Sequence, residues 1–230
     1  MIIQIYAFTK IEEAVAAVNM GVDNVGFVAG VYDMVFGELS FADARVMADA
    51  IPDTGTSTAI TMSDDVDEIL RMADAVRPDI LHISSELEQV GLDKMAEIRK
   101  RLAPEIKLMK AIPVEDMQSV DTAKAYAPVN DIFLLDTSRK GFPGVGATGF
   151  THDWNVSKAI VEAVNNPVIL AGGLNADNVG SAIDKVRPWG VDSNTSTNKE
   201  GSRVEKDLAR IADFVKAVKQ SPYYEAEPRL

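Results

Sequence analysis

An aspartate closes the apolar run Ile132-Phe133-Leu134-Leu135, and a carboxyl in that setting, Asp136, can act as a general acid. Desolvation beside Leu134 and Leu135 can raise the pKa of such a carboxyl toward the range in which a proton is held and released. A loop or helix cap is the other reading of that residue. A second run, Val168 to Ala171, stops at Gly172-Gly173, and Asn175 then opens a helix with Asp177 in its first turn. Two glycines let the backbone come close to a ligand, and a helix N-terminus offers free N–H groups to an anion. A plain strand-to-helix turn would look the same. A third run ends in Asp192, and the amide and hydroxyls of Asn194, Thr195 and Ser196 follow as donors. Asp192 serves either a pocket or an internal hydrogen bond. Tyr6 and His82 end two more apolar runs and are candidate proton acceptors. A phenol with a pKa near ~10 is a poor base without a nearby cation, and a lone histidine is more often a core group. Arg139 and Lys140, in the long polar loop after Asp136, are cations for a second anionic group. Lys110 is a conceivable Schiff-base amine. His152 reads as a surface residue and Asp153 as a first-turn partner of a helix dipole. With two histidines and no cysteine, no metal cluster of recognisable spacing exists, and no cofactor is expected.

These residues need elements to position them. Apolar runs at residues 2–8, 24–29, 56–60, 79–83, 106–112, 131–135, 168–171 and 189–193 read as strands buried on both faces. Helical periods at 10–20, 41–51, 64–75, 86–102, 114–126, 153–164, after 175, and 204–218 alternate with them. Eight strand-helix units of roughly 28 residues are the arithmetic of a (β/α)8 barrel in the α/β class, with a doubly wound sheet as runner-up. The barrel is expected to span residues 1–220 as a single domain, followed by a polar C-terminal tail at 221–230. A barrel gathers its chemistry at the C-terminal ends of its strands, where Asp136, Gly172-Gly173 and Asp192 stand.

Composition bounds the partners. The 230-residue chain carries a formal charge of −12, which disfavours nucleic acid and acidic membrane surfaces. No apolar run approaches the ~20 residues of a membrane helix, and the N-terminus lacks the pattern of a signal peptide. A cytoplasmic protein, monomer or homodimer, acting on a small phosphorylated substrate is the expectation.

Read together, the strand ends resemble the phosphoribosylanthranilate isomerase family over about residues 1 to 219. The segments that carry the likeness are LLDT (134–137), GATGFTHDW (146–154), PVILAGGLNADNV (167–179) and WGVD (189–192), with LHIS (81–84) similar to the family's QLHG. The resemblance implies an Amadori rearrangement of a phosphorylated aminoaldose in tryptophan biosynthesis, with Asp136 as the acid that opens the ribose ring. It also implies a phosphate held by Gly172, Gly173, Asn194, Thr195 and Ser196, with Asp192 in the pocket; Thr148 and, as a loop cation with exposed loop charge as its other reading, Arg139 are further substrate-binding candidates. Departures are concentrated at the site. Tyr6 stands where the family has its cysteine base, so Tyr6 or His82 must take the proton from C2. The family's arginine after strand two falls on FGEL near Gly37, with Glu38 beside it, and a lysine becomes Phe150. Alternatives are a lyase, aldolase or epimerase on the same scaffold, or a barrel that binds a phosphorylated metabolite without turning it over.

Overall fold

The computed structural model describes residues 1–137 and 151–224. Eight parallel strands form the barrel: β1 (Ile2–Ile5), β2 (Asn24–Ala29), β3 (Thr56–Thr61), β4 (Ile80–Ile83), β5 (Lys107–Pro113), β6 (Ile132–Asp136), β7 (Val168–Leu170) and β8 (Gly190–Ser193). Each pairs with the next. Closure comes from β1, which pairs with β8 (Ile2↔Gly190 to Ile5↔Ser193) and with β2 (Gln4↔Asn24). A two-residue strand, Glu38–Leu39, adds to the end of β2.

The helices are α1 (Ile11–Met20), α2 (Phe41–Ala50), α3 (Val66–Val76), α4 (Leu92–Arg101), α5 (Gln118–Tyr126), α6 (Trp154–Ala163), α7 (Val179–Val186) and α8 (Leu208–Lys219). Several begin where a side chain satisfies free N–H groups. Ser40 accepts from Asp43 N, Asp65 from Glu68 N, Asp153 from Asn155 N and Asp207 from the N–H groups of Ala209 and Arg210.

Strand side chains alternate between two apolar layers. Ile3, Ile5, Phe133 and Leu135 face outward to the helices, whereas Ile80, Met109, Ile132, Leu134 and Ile169 fill the barrel interior. That parity aims Asp136 inward and Lys110 outward. The interior near β1 is polar: Gln4 Nε2 donates to Asp192 Oδ1 at 3.2 Å and its Oε1 accepts from Asn24 at 3.2 Å.

Boundaries differ from the sequence reading at three places. Residues 86–91 form turns, and α4 starts only after Gly91. The segment after Gly173 is a turn: Asn175 Oδ1 accepts from Asp177 N and Asn178 N, and α7 starts at Val179, so Asp177 precedes the helix. The tail begins packed, with Ser221 buried and Tyr224 against the core. Among the described residues no helix is long and apolar enough to cross a membrane.

Candidate active site

A pocket of about 440 Å³ opens at the C-terminal ends of the strands. Asp136, Asp192, Tyr6 and His82 line it, with Val28, Ile60 and Leu134 as apolar walls. The structure therefore brings together the three proton-handling groups picked out from sequence, Asp136, Tyr6 and His82, with Asp192, which was read there as a pocket or hydrogen-bonding residue.

Their environments divide the roles. Asp192 is 5% exposed, and burial, reinforced by the negative charge of Asp136, pushes its carboxyl up to about 8. Asp136 ends β6 at 7% exposure, and its Oδ1 accepts from the N–H (2.7 Å) and hydroxyl (3.3 Å) of Thr137. Two buried carboxyls facing one another across a pocket favour a state with one proton between them.

Tyr6 and His82 form one unit, their side chains 2.8 Å apart between the phenol oxygen and Nδ1. Burial, then the charge of Asp192, push the phenol well above its usual value, so it stays protonated and donates to Nδ1. Burial, with Lys110 adding to it, lowers His82 to about 3. Both shifts weaken the pair as proton acceptors: the phenol keeps its proton, and the imidazole is less basic than in water. The Tyr6 ring fits because β2 carries a glycine. A Cβ on Gly26 would come within 2.1 Å of it.

The glycine turn is built as expected. Gly172 and Gly173 take φ of 84° and 62°, a region that penalises a Cβ. A Cβ on Gly172 would also lie 2.8 Å from His152 Nδ1 and 3.3 Å from Asp136 Oδ1. His152 is thus not a surface residue. It is half-buried, its Nε2 lies 2.7 Å from Ser157 Oγ, and its Nδ1 approaches the turn beside Asp136. Asn194, Thr195 and Ser196 follow β8 at the same end, leading into a short 3₁₀ turn, Thr195–Thr197. No described residue accepts from the N–H of Gly172, Gly173, Thr195 or Ser196. The Asn194 side chain is committed elsewhere, its Oδ1 accepting from Ala7 N at 3.1 Å. Arg139, Lys140 and Thr148 lie outside the described residues.

Lys206 escapes a reading of the sequence. Its stretch, KEGSRVEKD, looks like solvated loop, yet Lys206 is 1% exposed. Its ammonium reaches Tyr6 O, Asn194 O (3.1 Å), Asn194 Oδ1 (3.2 Å), Thr197 Oγ1 (3.4 Å) and Asn198 Oδ1 (2.6 Å). It ties the end of β1 to the loop after β8. Burial lowers it to about 7, against upward pulls from Asp192 and Glu13. Lys110, by contrast, lies outside the pocket lining, and its Nζ donates to Ser85 O at 2.5 Å.

Fold and site together define a closed (β/α)8 barrel with paired carboxyls and a glycine turn at its C-terminal mouth. Residues 3–217 match the family model of N-(5'-phosphoribosyl)anthranilate (PRA) isomerase, and the chain belongs to that family. An isomerase of that name from Haloferax volcanii is 36% identical over 209 residues, covering 90% of this chain and 89% of the relative. One from Pseudomonas putida is 34% identical over 218 residues, covering 95% and 97%. Among solved structures, phosphoribosyl anthranilate isomerase from Thermotoga maritima aligns at 28% identity with a TM-score of 0.76, covering 95% of this chain and 99% of that one. A family structure in complex with reduced 1-(o-carboxyphenylamino)-1-deoxyribulose 5-phosphate aligns at 27% identity, TM-score 0.74, with the same coverage.

Proposed function

We propose that the protein is a phosphosugar isomerase that rearranges N-(5'-phosphoribosyl)anthranilate to the aminoketose, a step of tryptophan biosynthesis, with Asp136 and Asp192 as its acid–base pair. The observation that carries this reading is the placement of two buried carboxyls, one pushed up to about 8, in one pocket at the C-terminal strand ends of a family member. The reaction moves only protons. An acid must protonate the ring oxygen so that the ring opens to an iminium at C1. A base must remove the C2 proton, leaving an enolamine that ketonises as C1 gains a proton. A carboxyl pair holding one proton supplies both groups. Near neutral pH the shared proton rests mainly on Asp192, whose carboxyl is pushed up to about 8; when it passes to Asp136, Asp192 becomes a carboxylate more basic than a solvated one, which suits C–H abstraction. The cysteine that resemblance led one to look for is then unnecessary. Backbone N–H groups at Gly172, Gly173, Thr195 and Ser196 would receive the phosphate, a role that depends on their geometry and hardly on side-chain identity.

Lys110 offers no aldolase alternative, since its amine faces away from the pocket and is hydrogen-bonded to Ser85 O. The test is kinetic. Purified protein should convert N-(5'-phosphoribosyl)anthranilate to the aminoketose phosphate, and Asp136→Asn should abolish conversion. An absence of turnover by the parent protein, or full activity in Asp136→Asn, overturns the proposal.

A further inference from the structure

Two further segments line the pocket beside the carboxyls. One is the loop after β2, with Met34, Val35 and Phe36. The other is the segment between β8 and α8, with Ser202 and Arg203. The two meet: the Arg203 guanidinium lies 4.6 Å from the centroid of the Phe36 ring. Phe36 is 62% exposed, a large ring held at the mouth and not in the core.

Arg203 is the one lysine or arginine among the described residues that line this pocket. No described carboxylate pairs with it. The nearest acid in sequence on the facing loop, Glu38, is already occupied. Its two oxygens accept from the N–H groups of Tyr32 (2.8 Å), Asp33 (2.8 Å), Met34 (2.9 Å) and Val35 (3.1 Å), an arrangement that shapes the loop carrying Phe36. The other side is equally anchored. Arg203 O accepts from Asn198 Nδ2 at 3.1 Å, and Ser202 Oγ accepts from Glu205 N at 2.9 Å. The result is an exposed guanidinium lying against an aromatic ring on an anchored backbone, with no described partner for its donor edge, beside a pocket whose other charged groups are acidic.

We propose that the Arg203–Phe36 stack at the pocket mouth is the recognition element for the carboxylate and ring of the substrate's aromatic half. This assignment rests on the isomerase reading above, whose substrate joins an aromatic carboxylate to a sugar phosphate. A planar guanidinium takes a carboxylate bidentately, and its stacking on Phe36 fixes the plane in which it does so. The ring of the ligand then lies against Phe36 and Met34, apolar and polarisable partners for it. The phosphate end is left to the backbone turn after β7 and β8.

Binding by isothermal titration of three probes tests this: the reduced 1-(o-carboxyphenylamino)-1-deoxyribulose 5-phosphate, its counterpart lacking the carboxyl, and ribose 5-phosphate. Arg203→Met should weaken the carboxylated probe by about tenfold or more while leaving the other two within about twofold. Arg203→Lys should recover part of the loss. In turnover, Arg203→Met should raise KM for the substrate with kcat within about threefold of the parent, the mark of lost uniform binding. Equal weakening of all three probes would place Arg203 on the phosphate and overturn the assignment, as would an unchanged affinity for the carboxylated probe. A parent protein that turns over no substrate and binds none of the three would overturn the isomerase reading, and this one with it.

Discussion

A single titrating side chain sets a trade between stability and chemistry in this barrel. Asp192 is buried with a pKa of about 8, whereas an aspartate in the unfolded chain titrates near ~3.9. Between those values the folded state holds a proton that the unfolded state has released. Stability is therefore full below the unfolded value and is lost as pH rises toward 8, after which the loss levels off. Asp192→Asn removes the titration while keeping the size of the side chain. The variant should unfold at a higher temperature than the parent at pH 8, with a much smaller gain at pH 4, and calorimetry at the two pH values checks it. The same variant should lose turnover by about a hundredfold or more in kcat, as expected when a general base is removed. Asp136, Gly172, Gly173 and Asp192 were legible in the sequence because each ends an apolar run, and a barrel collects such ends. The Tyr6–His82 contact spans 76 positions along the chain, and no local pattern announces it. What burial does to the two pKa values follows only from that contact and from the carboxyl beside it.

At the level of elements, the site depends on how the end of β1 is fastened to the loop after β8. One ammonium does this, that of Lys206, surrounded by five oxygens from Tyr6, Asn194, Thr197 and Asn198. Lys206→Met keeps much of the volume but removes the donor these oxygens share; Asn194 O and Oδ1 keep bonds from Thr197 and Ala7, whereas Asn198 Oδ1 and Tyr6 O lose theirs. Buried acceptors stranded in this way cost on the order of 1–3 kcal/mol each when unrelieved. A destabilisation of about 3 kcal/mol or more is expected in chemical denaturation, together with weaker binding of phosphate esters as the loop after β8 loosens. A second device is the glycine in β2. Gly26 has no side chain because the Tyr6 ring occupies the space where its Cβ would be. The strands and helices themselves were visible as alternating apolar and amphipathic runs. Their starts were less so: the polar stretches 86–91 and 175–178 have helix-compatible composition, yet Gly91 and the Asn175–Asn178 side-chain bonds hold them in turns.

For the whole molecule, the formal charge of −12 opposes the approach of an anionic sugar phosphate. The repulsion acts over a Debye length, about 10 Å at 0.1 M salt and several times that at low salt, whereas contacts inside the pocket are screened much less. The isomerase should consequently show kcat/KM rising about twofold or more as sodium chloride is raised from low to physiological concentration. Initial rates across a salt series at fixed pH read this directly, and a fall over that range would count against it. By itself the sequence determined the closed barrel, its family and the placing of Asp136, Asp192 and the glycine turn at one mouth, because strand period and strand ends are local properties that a known architecture converts into positions. The tertiary structure alone decided which carboxyl is pushed up to about 8, that the Tyr6 phenol and His82 Nδ1 are hydrogen-bonded, that Lys206 is interior, and that Arg203 meets Phe36 at the pocket. Those facts arise from desolvation and from contacts between distant parts of the chain, and neither exists until the strands have closed.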